Sequence, residues 1–180
     1  MTADLDLEEL FAKEWNDLIP SCLANGKVLQ VDLYKLSPAN VSAGGAFLVR
    51  ISKRLAENKE EALIYLLQKL LLYSELLPAS PPYPNGSNFL KLVREQQVLS
   101  NAIGKPASTD QVGRFYEELE SEARKTAGSD YLLNGQELNA TILNKNDILS
   151  CVVFIDDWNE KVYLMETRDD WWLLSWGMDV

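Results

Sequence analysis

Apolar side chains recur every three or four residues along most of the first two-thirds of the chain, a spacing that predicts amphipathic helices. The stretches with this spacing are 5–19, 46–56, 58–77, 88–102 and 108–127. The stretch 58–77 is apolar on nearly every side after its first turn, so we expect it at the centre of the core. Ser108 and Gln111 have the spacing of a capping box, which predicts a helix start there. The proline-rich segment 78–87 separates two of these helices.

A different pattern, short apolar runs separated by polar turn-forming residues, predicts β-strands. It occurs once early in the chain and then repeatedly near the C-terminus, at 28–34, 140–143, 148–155, 162–166 and 171–176. Consecutive short runs of this kind are typical of an antiparallel meander. The sequence therefore predicts an α+β fold, with a helical N-terminal two-thirds packed on a C-terminal antiparallel β-meander. We expect a single domain over 1–180, helix-rich over 1–135 and a meander over 136–180.

The composition agrees with a folded protein that needs no metal or disulfide. Apolar residues make up 47% of the 180 residues and charged residues 24%, which are ordinary values for globular proteins. Cys22 and Cys151 lie in predicted secondary structure, so we interpret them as buried free thiols. No apolar run reaches the ~18 residues of a membrane span, and the first residues are acidic, unlike those of a secretory signal. These features predict a cytoplasmic protein.

The formal net charge of −10 is unevenly distributed along the chain. Residues 1–17 carry six acidic side chains and one basic one, and residues 147–180 carry eight acidic and two basic ones. Such a field repels nucleic acids and anionic membranes and attracts basic surfaces. We therefore expect a basic protein partner, no nucleic acid and no membrane, although an acidic surface also serves solubility alone. The basic residues Arg50, Lys53 and Arg54 are expected to pair with the chain's own acids.

Sequence signals for catalysis are scarce. The chain has no histidine, which excludes imidazole bases, histidine-containing triads and histidine-ligated zinc. No P-loop, dinucleotide fingerprint or Ser-x-x-Lys spacing occurs in the sequence. Cys151 lies inside an apolar run, where burial raises the pKa of a thiol and lowers its reactivity. We therefore expect neither a catalytic residue nor a cofactor, and we favour a role that is not enzymatic.

Acidic residues cluster in the turns of the predicted meander. Asp156, Asp157 and Glu160 fall in one turn, where their oxygens offer ligands for a divalent cation. Residues 169–170 fall in the next turn, at the same end of the strands as Asp147. Consecutive hairpin turns lie at opposite ends of the strands, so we expect two separate acidic groups and no single site that uses them all. Turn formation and edge protection explain the same residues without a metal.

Four of the five tryptophans lie within 19 residues near the C-terminus. Strand alternation places Trp172 and Trp176 on one face of the last strand and Trp171 on the other. If helices cover one face only, at least one of these indoles is exposed at an interface, whereas packing in the core explains them without a partner. The partner-binding surface that we expect is formed by Trp158, Trp171, Trp172, Asp169 and Asp170.

The closing strands 148–155, 162–166 and 171–176, aromatic and separated by turns, follow several helices and resemble those of the NTF2-like cone. This resemblance covers less than a quarter of the chain and implies a ligand-pocket protein or enzyme with an aromatic-lined cavity. Our leading hypothesis is a non-enzymatic acidic interaction module that binds a basic protein partner, as a regulator, an inhibitor or immunity-type protein, or an assembly factor. The cone-like pocket protein and a divalent-cation binder are the alternatives.

Overall fold

The computed structural model describes residues 5–6, 15–36, 45–95, 103–125 and 142–178. The helices are α1 (Trp15–Ala24), α2 (Lys59–Tyr73), α3 (Gly86–Glu95) and α4 (Thr109–Lys125). The strands are β1 (Leu5–Asp6), β2 (Asp32–Leu36), β3 (Gly45–Ser52), β4 (Ile103–Pro106), β5 (Ser150–Asp156), β6 (Glu160–Glu166) and β7 (Asp170–Gly177). Two short 3-10 helices, Lys27–Gln30 and Lys145–Asp147, precede β2 and β5.

These seven strands form one antiparallel sheet in the order β1-β4-β5-β6-β7-β3-β2. β5, β6 and β7 follow one another through two short hairpin turns and pair as a meander. β3 pairs with β7 along its full length, from Gly45 opposite Gly177 to Ser52 opposite Asp170. The predicted C-terminal meander is therefore confirmed, and strands from the first two-thirds of the chain extend it on both sides.

Helices cover both faces of this sheet. α1, α2 and α3 pack with Trp171 and Leu173 of β7 in one hydrophobic cluster. α4 packs with Trp172, Leu174 and Trp176 of the same strand in a second cluster. Alternate side chains of β7 thus enter opposite clusters, as the period-two geometry of a strand requires. Burial on both faces explains why the central strands are nearly continuous apolar runs.

Two of the described helices, α2 and α4, begin where their sequences predict. α2 starts after Asn58, whose side-chain oxygen accepts a hydrogen bond from the Glu61 backbone N–H at 2.8 Å. Nine side chains of α2 are buried, which explains a sequence with almost no polar face. α4 starts with the predicted cap, because the Gln111 N–H donates to Ser108 Oγ at 3.4 Å. None of the described helices is long and apolar enough to cross a membrane.

The predicted helix over 46–56 is wrong, since residues 45–52 form strand β3. β3 lies between β2 and β7, with a paired strand on each edge and packed side chains on each face. Its apolar run is therefore continuous, and such a run does not distinguish a buried strand from a buried helix. Val49 and Ile51 favour the strand because β-branched side chains pack well on a pleated surface.

The α+β class is confirmed, and the predicted layout holds in part. The meander lies at the C-terminus, but strands β1 to β4 alternate with the helices along the first two-thirds of the chain. The helices therefore form no separate N-terminal layer. The predicted strand 28–34 begins as a 3-10 helix and continues as β2.

Several predicted boundaries differ from those observed. Residues 5–6, predicted as helix, form β1, and residues 142–143, predicted as strand, form a bend. α2 ends at Tyr73, four residues before its predicted end. The predicted stretches that lie outside the described residues are 7–14, 96–102, 126–127 and 140–141.

β4 packs closely against β5 at Gly104. A Cβ atom at this position would lie 2.9 Å from Phe154 Cε1 and closer still to Val152 Cγ1. Real Cβ atoms do not approach other heavy atoms so closely. Glycine at position 104 therefore lets the two strands pair beside these side chains.

Candidate functional site

The two hairpin turns of the meander lie at opposite ends of the sheet. The β5–β6 turn, residues 157–159, lies beside Gly177 at the end of β7. The β6–β7 turn, residues 167–169, lies beside Ser52 at the end of β3. A strand of six or seven residues separates the two ends by roughly 20 Å. The predicted division of the meander's acidic residues into two groups is therefore confirmed.

The first end carries an exposed tryptophan. In the Trp158 turn, which we define as residues 156–161, Trp158 is 76% exposed. The backbone around it is fixed, because the Asp157 N–H donates to the Glu160 carbonyl at 2.8 Å and the Met178 N–H donates to the Asn159 carbonyl at 2.9 Å. A large apolar side chain on a hydrogen-bonded turn needs little further backbone ordering when it binds. Such a side chain is typical of a recognition site.

The three carboxylates of the Trp158 turn have different surroundings. Asp156 accepts hydrogen bonds from Lys161 Nζ and from the Tyr163 hydroxyl, the latter at 3.0 Å, and the Lys161 bond lowers the pKa of Asp156. Asp157 and Glu160 form no ion pair with a described basic side chain. Burial, followed by the charge of Asp157, raises the pKa of Glu160. A cationic group of a partner beside this pair would favour its ionised form.

The predicted cation site falls on the same turn. In the described ranges, no group of three or more acidic or cysteine side chains is arranged to hold a metal ion. Hard divalent cations are held by several oxygen ligands, whereas Asp156 is hydrogen-bonded to Lys161. Cation binding by Asp156, Asp157 and Glu160 stays a prediction.

The tryptophans of β7 lie in the core, because helices cover both faces of the sheet. Trp171 is 6% exposed and Trp172 is 3% exposed, whereas Trp158 lies at the surface. Partner contact through Trp171 and Trp172 stays a prediction. Trp171 and Trp172 each lie near a cation. Lys53 Nζ is 4.9 Å from the centroid of the Trp171 ring, and the Arg50 guanidinium carbon is 5.5 Å from that of Trp172. These distances allow cation–π attraction.

A cleft with a volume of about 470 Å³ opens at the second end of the sheet. We call it the Asp170 cleft. Its lining comes from the segment before β5, from the β6–β7 turn, and from β3 and β7. The carboxylates of the lining are Asp147, Asp169 and Asp170, which the hairpin geometry predicts at one end, and its cations are Arg50 and Arg168.

The charges of the cleft are only partly compensated. Arg50 Nε donates to Asp32 Oδ2 at 2.9 Å, so the predicted pairing of Arg50 with an acid of the chain is confirmed. Burial raises the pKa of Asp170, and the charges of Asp169 and Asp32 raise it further against the attraction of Arg50. An added cation in the cleft would stabilise the ionised form of Asp170.

The β6–β7 turn is tied to β3 and β5. Lys53 donates through Nζ to Glu166 Oε1 at 2.7 Å and through its backbone N–H to the Asp169 carbonyl at 2.9 Å. Ser150 Oγ donates to Glu166 Oε2 at 2.8 Å. Burial alone would raise the pKa of Glu166, but these side-chain hydrogen bonds outweigh it and lower the pKa. The predicted pairing holds for Lys53, whereas Arg54 forms no ion pair with a described acid.

One wall of the Asp170 cleft, the segment 142–149, is fastened to α4. The Ile142 backbone N–H donates to Glu120 Oε1 at 3.1 Å. Lys145 Nζ donates to Glu117 Oε2 at 2.8 Å. Two contacts from one helix thus hold the wall in place, so the cleft is formed before any ligand binds.

The two cysteines are poor nucleophiles. Burial raises the pKa of the Cys151 thiol to about 12. Burial also raises the pKa of the Cys22 thiol, although a hydrogen bond with Tyr65 opposes the shift. The thiolate is the reactive form, so neither side chain is activated at neutral pH.

Arg50, Asn144 and Leu149 are cleft residues that the sequence pattern does not identify. Arg50 lies opposite Trp172 across the β3–β7 pair, a relation that follows only when 45–52 is known to be a strand. The β-branched residues of that segment are the sequence signal that favours a strand. Asn144 and Leu149 are brought to the cleft by contacts of their segment with α4, which leave no local signal in the sequence.

Comparison with known proteins finds no relative of this chain. No protein-family model, no curated protein and no solved structure matches it. Functional inference therefore rests on the chain's own residues.

Proposed function

We propose that this protein is a non-enzymatic acidic interaction module that binds a basic protein partner, as a regulator, an inhibitor or an assembly factor. The observation that carries this proposal is the Trp158 turn, where an exposed tryptophan lies on a hydrogen-bonded hairpin. Asp157 and Glu160, which flank it, form no ion pair with a described cation. An apolar anchor with an acidic rim fits an apolar pocket with a basic rim.

The exposed area of Trp158 is large enough to anchor a complex. A tryptophan side chain buries up to about 250 Å², so three-quarters exposure leaves roughly 190 Å² available for an interface. At ~25 cal/mol per Å² this area corresponds to roughly 4–5 kcal/mol. Ordering the side chain and desolvating its neighbours reduce the gain, and about 2–3 kcal/mol is typical of a tryptophan hot spot.

The charge of the chain favours a basic partner. A formal net charge of −10 attracts a basic protein over a distance of about one Debye length and speeds the encounter. An inhibitor or immunity-type protein that must capture a basic toxin is a specific form of this role. Because surface attraction is screened by ions, affinity should fall as the salt concentration rises.

Affinity capture with matched variants tests the proposal. The immobilised full chain is exposed to a lysate of its source organism, and captured proteins are quantified by mass spectrometry. We expect one basic protein at stoichiometric level, lost with Trp158→Ala and reduced with the double variant Asp157→Asn, Glu160→Gln. Capture should weaken at 0.5 M salt, which shortens the Debye length to roughly 4–5 Å.

Leu29→Ala is the control variant for this experiment. Leu29 is 82% exposed, so its replacement also removes a large exposed apolar side chain. It lies in the 3-10 helix before β2, near the end of the sheet opposite the Trp158 turn. The Leu29→Ala chain should capture the same protein as the unmodified chain. Equal capture by the Trp158→Ala and Leu29→Ala chains would refute the role of the turn.

The two alternatives stay predictions. A cone-like pocket protein requires an aromatic-lined cavity between sheet and helices, and the described residues there form two hydrophobic clusters. A divalent-cation binder requires ligands at the Trp158 turn. A melting temperature unchanged by millimolar calcium or magnesium would exclude the cation binder, because a ligand that binds the folded state raises that temperature.

A further inference from the structure

The Asp170 cleft has a deficit of positive charge. Asp147, Asp169 and Asp170 line it, and none of the three forms an ion pair with a described basic side chain. Of the two cations in the lining, Arg50 is already paired with Asp32. Asp170 is half-buried, whereas Asp147 and Asp169 are exposed. A ligand of this cleft should therefore carry a positive charge, because a partly buried carboxylate such as that of Asp170 gains most from a cation that replaces its lost hydration.

The lining also has an apolar part. Leu149 is an exposed large apolar side chain, and Ile142 is half-buried in the same wall. Lysine and arginine side chains place a flexible apolar stem along such surface and a charged group at its end. The combination of Leu149 with the three carboxylates thus fits a long basic side chain better than a small inorganic cation.

The indole N–H of Trp172 is an observation independent of the charges of the cleft. It is among the most deeply buried residues of the cleft lining, and its Nε1–H has no acceptor among the described residues. Buried donors are nearly always hydrogen-bonded, so this group calls for an acceptor oxygen. Because the nitrogen is buried, an acceptor reaches it only when neighbouring side chains shift as the ligand enters. A carbonyl next to the cationic side chain would supply that oxygen.

The size of the cleft agrees with a ligand of this kind. Small-ligand sites have volumes of roughly 300–1,000 Å³, and the Asp170 cleft has about 470 Å³. The wall 142–149 is held by Glu120 and Glu117 of α4, so little ordering of its backbone opposes binding.

We infer that the Asp170 cleft binds a guanidinium or ammonium group together with a neighbouring carbonyl oxygen, as an arginine or lysine residue within a peptide presents them. The carboxylates of Asp169 and Asp170 receive the cation, Leu149 contacts the apolar stem, and the Trp172 Nε1–H donates to the carbonyl. This site lies at the end of the sheet opposite the Trp158 turn and does not rest on the proposed function.

Titration of the full chain with three small probes tests the inference at physiological ionic strength. N-acetyl-L-arginine amide carries both cation and carbonyls, butylguanidine carries the single guanidinium cation alone, and N-acetyl-L-norleucine amide carries the carbonyls alone. Calorimetry should give saturable binding with the arginine amide as the tightest probe. The double variant Asp169→Asn, Asp170→Asn should weaken this binding about tenfold or more, as expected for the loss of charge-assisted hydrogen bonds.

The matched control is the double variant Glu75→Gln, Glu118→Gln, which removes two exposed carboxylates outside both sites. It should leave the affinity for the arginine amide within about twofold of the unmodified chain, because exposed charges at a distance are screened. Equal weakening by both double variants would overturn the site, as would norleucine amide binding as tightly as the arginine amide. Butylguanidine binding as tightly as the arginine amide would overturn the peptide assignment. No saturable binding at millimolar probe would overturn the inference as a whole.

Discussion

Replacing Glu120 tests how the wall of the Asp170 cleft is held. The side chain of Glu120 is 7% exposed, pairs with Arg124 at 2.8 Å and accepts the Ile142 N–H at 3.1 Å. Glu120→Ala removes the described acceptor of that backbone donor and leaves Arg124 without this partner. Glu120→Gln keeps a neutral acceptor oxygen at the same place. The two variants therefore separate the hydrogen bond from the charge.

The expected magnitude follows from these contacts. A hydrogen bond to a charged group contributes roughly 1.5–3 kcal/mol, and an ion pair four residues apart on a helix contributes about 0.3–0.5 kcal/mol. Glu120→Ala should therefore lower the free energy of unfolding by about 2–3 kcal/mol, and Glu120→Gln by about half as much. For a chain of this length, 2 kcal/mol corresponds to a melting temperature lower by roughly 4–8 °C.

Urea unfolding and hydrogen exchange measure this effect. The midpoint of unfolding should fall in the order of the unmodified chain, Glu120→Gln, Glu120→Ala, and the Ile142 amide should exchange faster in the alanine variant. Glu118→Gln, an exposed position of the same helix, is the control and should change the unfolding free energy by less than about 0.5 kcal/mol. If Glu120→Ala behaves like Glu118→Gln, or if the Ile142 amide keeps its protection, Glu120 does not hold the wall.

Two further predictions concern the sheet. Gly104→Ala should lower the free energy of unfolding by about 1–3 kcal/mol, because a Cβ atom at this position overlaps side chains of β5. A Cβ atom at position 45 makes only an ordinary contact, so Gly45→Ala should lower the free energy of unfolding by less than about 0.5 kcal/mol. Equal urea midpoints for the Gly104→Ala and Gly45→Ala chains would contradict the close packing at Gly104. Glu166 has a folded-state pKa below its ordinary 4.5, so its ionised form stabilises the fold above that value and loses this effect as pH falls through the folded pKa. The difference in unfolding free energy between the unmodified chain and Glu166→Gln should therefore be largest at neutral pH and shrink below about pH 4. A difference that stays constant with pH would contradict the contribution of the Lys53–Glu166 pair.

The elements that could be predicted from the sequence are those set by local interactions. Asn58 and Ser108 cap α2 and α4 through bonds to backbone groups three residues away, and such signals lie within one turn. The meander was predictable for the same reason, since its apolar runs and polar turns alternate over short distances.

The spacing of apolar residues could not identify strand β3, because the contacts that decide between strand and helix there are not local. The segment 45–52 pairs with β7, more than a hundred residues later, and it is buried on both faces. Its apolar residues show no alternation, and both a buried helix and a buried strand satisfy that pattern. Two pairings, with β2 and with β7, decided between them.

The sequence by itself determined the charge of the chain, the lack of histidine and the separation of the meander's acids into two groups. The separation follows from strand geometry alone, because consecutive hairpin turns must lie at opposite ends of their strands. Only the tertiary structure decided which tryptophan of the meander is exposed. Alternation places Trp171 and Trp172 on opposite faces, but exposure depends on what covers each face, and α4 covers the second one. The Asp170 cleft likewise exists because α4 holds the segment 142–149 beside a distant turn, a contact with no counterpart in the local sequence.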